Sequence, residues 1–191
     1  MPAAVVPEAP RPWTWLRQVH RTRVVVVSQP GEHAGAEADA AVTGTPGCVL
    51  VIRTADCVPI VLVGDRAVGV VHAGWKGLVA GVIRQAVAAI RDLDEGPIAA
   101  HLGPCIRPGC YEFDGPELNV LTAQLGVQAA TTTWGTRAFD LPGAAASELR
   151  AAAVERIFDE AGCTACDERS YSHRARGEVE RIATLAWLVA P

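Results

Sequence analysis

Long apolar runs are missing from this 191-residue chain. No stretch approaches the ~18 uncharged apolar residues that a membrane-crossing helix needs, so no membrane partner is expected. The Pro-rich start contains no continuous apolar segment of the kind a secretory signal carries. Basic runs are missing too. The arginines are scattered and the formal net charge is -4, which argues against a non-specific nucleic-acid binder. Aromatic residues make up only 5% of the chain, and neither an internal repeat nor a low-complexity linker interrupts it. The expectation is one domain over residues 1–191, with residues 1–12 as a loose lead-in. Six cysteines without an export signal point to free thiols, a metal or catalysis rather than disulfides, and hence to the cytoplasm.

What is present is apolar bulk: half of the residues, much of it alanine and valine, enough for a sizeable core. Residues 23–28 (RVVVVS) read as a strand buried on both faces, and 48–52, 59–63, 67–72 and 98–102 as similar short strands. Gly64-Asp65-Arg66 reads as a hairpin turn between two of them. Helical spacing of Val79, Val82, Ile83, Ala86 and Ile90 predicts a helix over 78–92. Further helices are predicted over 116–125, 142–161 and 179–189. Strands followed by helices without strict alternation give an α+β class.

Three side chains carry the chemistry. His72 ends an apolar strand just before Ala73-Gly74-Trp75-Lys76-Gly77 and a helix, a strand–turn–helix junction. Cys57 lies in a turn between two strands, and His20 precedes a strand. Two imidazoles and a thiolate suit zinc, and three protein ligands leave a fourth position open, the mark of a catalytic site. Zinc lowers the pKa of a bound water to about 7 and can polarise an oxygen. The wide ligand spacing leaves two other readings of the same residues. One is a metal-free Cys57–His72 nucleophile pair, with Gln18 or Asp56 orienting the histidine. The other is a hydrogen-bonded core histidine beside an inert cysteine. Arg53, Lys76, Arg174 and Arg181 are candidate anion ligands, and Cys105 is a candidate to face the same site. Cys163-x-x-Cys166 is a lone CxxC, read as two ordinary thiols; Cys110 is read as packed, His33 as exposed, and His101 as equally suited to a structural or a functional role.

Six ordered stretches, WLRQVH (15–20), EADAAVT (37–43), TADCVPIVL (54–62), GVVHAGWKG (69–77), GPCIRPGCYEF (103–113) and YSHR (171–174), run through nearly the whole chain. Together they closely resemble the YfiH-type family, also called the multicopper polyphenol oxidase or laccase-domain family and now described as purine nucleoside phosphorylases. The resemblance implies mixed β-sheets flanked by helices, a fold like the deamidase domain of cytotoxic necrotizing factor. It implies that His20, Cys57 and His72 are the metal ligands and catalytic set, with Gln18, Arg53, Lys76, Cys105 and Arg174 around the substrate. The implied activities are zinc-dependent phosphorolysis of adenosine, inosine and methylthioadenosine, with phosphate as co-substrate, and deamination of adenosine. A copper-dependent polyphenol oxidase and a metal-free cysteine hydrolase editing peptidoglycan precursors are the alternatives; a binding protein without turnover is a third. Two departures stand out. Family members carry a longer segment ahead of QVH. In addition, YSHRARGEVERIA has His173 at the family's tyrosine and Glu180-Arg181 at its Gly-Arg.

Overall fold

Three layers of secondary structure stack on one another in the computed structural model, which describes residues 9–160 and 162–189. The middle layer is a six-stranded mixed sheet. In chain order its strands are β2 (Val24–Val26), β3 (Ala40–Thr43), β5 (Val58–Val63), β6 (Val68–Ala73), β7 (Ala99–Leu102) and β10 (Arg156–Asp159); in space they run β10-β7-β5-β6-β3-β2. A second sheet, ordered β1-β4-β11, is built from β1 (Trp13–Trp15), β4 (Val49–Thr54) and β11 (Ile182–Ala186). The third layer is helical: α1 (Trp75–Ala80), α2 (Val82–Arg91), α3 (Pro116–Gln124) and α4 (Leu141–Ala151). A two-stranded ribbon, β8 (Ala130–Thr131) with β9 (Arg137–Ala138), and the single-turn α5 (His173–Arg176) complete it.

The strand pleat explains why the apolar runs are continuous. Side chains alternate between faces. Val58, Ile60 and Leu62 of β5 enter the large core under the helices, with Ile83, Ile90, Leu118, Phe139 and Leu149. Val68 and Val70 of β6 point the other way and meet Leu50 and Ile52 of β4 in a second core between the sheets. A sheet covered on both faces needs apolar residues at every position.

The α+β class is correct, but several boundaries move. The predicted helix over 78–92 is two helices, broken at Gly81, whose φ of 93° ends α1 and caps α2. The helix predicted over 142–161 stops at Ala151, and residues 156–159 form β10, parallel to β7. Ile157 and Phe158, inside that predicted helix, are β-formers that pair with Ala100 and His101. The helix predicted over 179–189 is strand β11, antiparallel to β4. The RVVVVS run is not buried on both faces: β2 is an edge strand with Val26 exposed. Eight residues of the predicted lead-in lie outside the described residues; of the rest, Ala9 packs against Val49 and Val51, so that part is tied down. Among the described residues, no helix is long and apolar enough to cross a membrane.

Candidate functional site

The register of one hairpin brings two of the three key residues together. In the β5–β6 pair, Val58 lies opposite Ala73 and Pro59 opposite His72. Cys57, one step before β5, therefore sits against the chain that leaves β6. Gly74 marks the contact: a Cβ there would come 3.0 Å from Cys57 Sγ and 2.9 Å from His20 Cδ2. Only a residue without a side chain leaves that space open. His20 arrives from the β1–β2 connection, in the left-handed region at φ 58°. Its Nε2 is 3.9 Å from Cys57 Sγ, and its ring meets His72 edge-on at 4.7 Å. One nitrogen or sulfur from each of the three lies within 4.8 Å of the others.

Asp39, at the threshold of β3, organises this group. It is fully buried. Its carboxylate accepts the backbone N–H groups of Val19, His20 and Arg21 at 3.2, 2.8 and 2.8 Å. It also lies 2.8 Å from His72 Nδ1. One buried anion thus fixes the loop bearing His20 and the ring orientation of His72, whose other nitrogen is left to face a ligand. Burial works to raise the Asp39 pKa, but the His72 and amide hydrogen bonds win and hold it below the ordinary carboxylate value. Burial alone would lower the pKa of His72; bonding to Asp39 and Cys57 instead raises it to about 9. Burial would raise Cys57; bonding to His20 and His72 brings it down to about 6. At neutral pH these shifts favour a Cys57 thiolate beside a protonated His72; a borderline-soft cation held by the three donors would take the place of that proton.

The group lies in a cleft of about 880 Å³. Gln18, Arg53, Lys76 and Arg174 all line it. Gln18 spends both ends of its amide on Arg53, donating to its carbonyl at 2.7 Å and accepting its N–H at 2.8 Å. It clamps the His20 loop to β4 rather than orienting His72. Cys105 does not line the cleft; it is buried in the helix-side core, where burial pushes its thiol up to about 12.

Two contributors, Asp39 and Tyr111, were not singled out from the sequence, and Asp56, considered there as orienting His72, serves another part of the cleft. Tyr111 lines the cleft, with the Arg174 guanidinium 4.7 Å over its ring. Asp56, at φ 89°, gathers the far wall: it accepts from Thr164 Oγ1 and Ser172 Oγ, both at 2.7 Å, and from the Arg174 N–H at 2.6 Å. The signal for Asp39 was present as an acidic residue set among alanines at a strand entrance, and for Asp56 as the acid beside Cys57. Neither pattern says which partners it will meet. The altered motif also faces the cleft, through His173 and Arg181.

The chain is similar to known proteins over nearly its whole length. Residues 3–189 match the family model described as multi-copper polyphenol oxidoreductase laccase. A Mycobacterium tuberculosis (strain ATCC 25618 / H37Rv) protein named a purine nucleoside phosphorylase is 36% identical over 178 residues, covering 91% of this chain and 71% of its own. One from Xylella fastidiosa (strain Temecula1) is 39% identical over 187 residues, with the same coverage. Among solved structures, a Neisseria meningitidis protein superposes with a TM-score of 0.82 at 28% identity, covering 94% of this chain and 76% of that one. YlmD from Geobacillus stearothermophilus gives 0.80 at 28% identity, covering 93% and 74%.

Proposed function

The chain belongs to the multi-copper polyphenol oxidoreductase laccase family, of YfiH type, and from that membership we propose that it is a zinc-dependent purine nucleoside phosphorylase. The observation that carries the reading is the convergence of His20, Cys57 and His72 on one point in a cation-lined cleft. The donor set fits a zinc ion: one thiolate, two imidazoles, a buried carboxylate behind one of them, and a glycine where a side chain would intrude. Bound there, zinc would supply Lewis-acid polarisation and an acidified water.

The protein's own groups do the rest. Arg53, Lys76 and Arg174 face a phosphate in the cleft, each charge-assisted contact contributing about 1.5–3 kcal/mol. Trp75, partly exposed in the cleft wall, offers ring surface to a purine. In phosphorolysis, a phosphate oxygen bonds to the ribose C1′ while the glycosidic C–N bond breaks. The bond's electron pair leaves on the base, which then takes up a proton. Adenosine, inosine and methylthioadenosine share that bond. Deamination of adenosine, in which water replaces the amino group at C6, is the second activity proposed for the same cleft.

The test pairs elemental analysis with base release from adenosine, with and without phosphate. About one zinc at these ligands and phosphate-dependent adenine release are expected. His72→Ala should lose the ion at these three ligands and turnover together; full activity in a folded His72→Ala protein that has lost that ion overturns the reading. Phenol oxidation that rises with copper content would replace it by the oxidase alternative.

One observation favours a second reading. Asp39, His72 and Cys57 form an acid–imidazole–thiol arrangement, with His72 raised to about 9 and Cys57 lowered to about 6. A cysteine hydrolase acting on an amide in a peptidoglycan precursor would use them in that order. Activity that survives chelation and is abolished by alkylation of Cys57 selects this reading.

A further inference from the structure

The fold brings a third cysteine to the CxxC that the sequence leaves isolated. Cys110 ends a short 3-10 helix, Pro108–Cys110, and Cys163 and Cys166 lie on the turn that follows β10. The three sulfurs lie within 4.8 Å of one another, with Cys110 Sγ and Cys166 Sγ 3.1 Å apart. All three thiols are free. We propose that Cys110, Cys163 and Cys166 form a second metal site, an all-thiolate site for zinc, separate from the His20–Cys57–His72 group.

Several features support a metal over three idle thiols. Sulfur donors without oxygen or nitrogen select a soft or borderline ion. The Cys163–Cys166 turn is a tight knuckle: the N–H groups of Cys166 and Asp167 both donate to the Cys163 carbonyl, at 3.1 and 3.0 Å. Two arginines hold the backbone around the knuckle. Arg107 donates to the Gly162 carbonyl at 3.2 Å, and Arg176 donates to the Thr164 and Ala165 carbonyls at 3.2 and 3.1 Å. Each guanidinium is itself paired with an acid, Arg107 with Asp159 and Arg176 with Glu178, so these ion pairs brace the segments that carry the three cysteines. Cys166 is exposed, so the fourth position is open to water or a small ligand.

The site also has a mechanical consequence. Thr164, inside the CxxC, is one of the donors to Asp56, and Asp56 holds the Arg174 backbone. Cys110 immediately precedes Tyr111 of the cleft wall. An ion at the three sulfurs would tie together the two segments that carry Tyr111 and Arg174.

Zinc content of purified protein tests this, in a background where the first site is removed. Wild type should carry about two zinc ions, Cys57→Ser/His72→Ala about one, and that double variant with Cys166→Ser added none. Cys166 is exposed, so its replacement leaves the core intact, and circular dichroism verifies folding. Cobalt replacing zinc in the double variant should give an intense thiolate-to-metal absorption band that Cys166→Ser removes. In unmutated protein, alkylation mapped by mass spectrometry should spare the three cysteines until a chelator is added. The proposal is overturned if the double variant holds no metal, or if its metal survives Cys166→Ser. It is also overturned if the three thiols alkylate freely without chelator, or if a metal-free Cys110–Cys166 disulfide is recovered. Because the first site is absent from the key variant, the result is independent of the proposed phosphorylase activity.

Discussion

Asp39 works on two histidines at once: three backbone amides of the His20 loop and the His72 ring all converge on its two oxygens. Asparagine keeps the shape but loses the charge and one acceptor, so Asp39→Asn should weaken zinc binding about 10–100-fold while the protein stays folded. Competition with a metallochromic chelator measures this; unchanged affinity would mean that the histidines are oriented without it. A second buried carboxylate, Asp94, has a purely structural task. It accepts the N–H of Arg66 at 2.6 Å and of Gly96 at 3.0 Å, pinning the β5–β6 turn. The Arg66 amide, then the Gly96 amide, hold its pKa below the ordinary aspartate value. A depressed native pKa gives stability that is fully present above the unfolded value, about 3.9, and is lost as pH falls through the native one. Asp94→Asn should therefore lower the urea midpoint at neutral pH, and its deficit should shrink as pH falls below about 4. A deficit constant across that range would refute the linkage.

Gly81 shows how one backbone position divides an element. Its φ of 93° turns a continuous amphipathic pattern into α1 and α2. Gly81→Ala should cost about 1–2 kcal/mol, read as a lower urea midpoint, because a Cβ is strained at that angle. The added carbon would also meet Arg84, the partner of Glu148 on α4, but a flexible side chain can move aside. The break was not legible because glycine inside a helical pattern is often merely tolerated. Ala153 is a harder case: it sits at φ 57° and reverses the chain before β10 with no glycine to announce it. The turn there is imposed by Val154, fully buried in the helix-side core, and by the pairing of β10 with β7. For residues 182–186, Ile-Ala-Thr-Leu-Ala shows no strict apolar–polar alternation, so the short run fits a helix as well as a strand.

The six-stranded sheet is shared by both main cores, with Ile60 and Val71 on the helix side and Val68 and Val70 on the other. Neither core can come apart without exposing the back of the other, so the chain should unfold as one unit. Far-UV circular dichroism and tryptophan fluorescence should trace the same thermal transition, with calorimetric and van't Hoff enthalpies equal. Two transitions would mean that the β1-β4-β11 sheet melts separately. At this level His20, Cys57 and His72 were legible because all three belong to ordered motifs. Asp56's partners and the Cys110 approach were not, since they depend on how the last segments fold back over β7. The β5–β6 hairpin has one more implication. Cys57 and His72 stand at its open end, while Val63 and Val68 close the turn at the other. Six strand residues at ~3.3 Å each separate the two ends by about 20 Å. The turn is thus a natural attachment point for a reporter: a peptide or fluorophore grafted at Asp65, with Arg66 retained for Asp94, should leave metal content intact. A single residue inserted between 58 and 63 should instead slip the strand by one place, turn its core side chains outward and pull Cys57 away from His72.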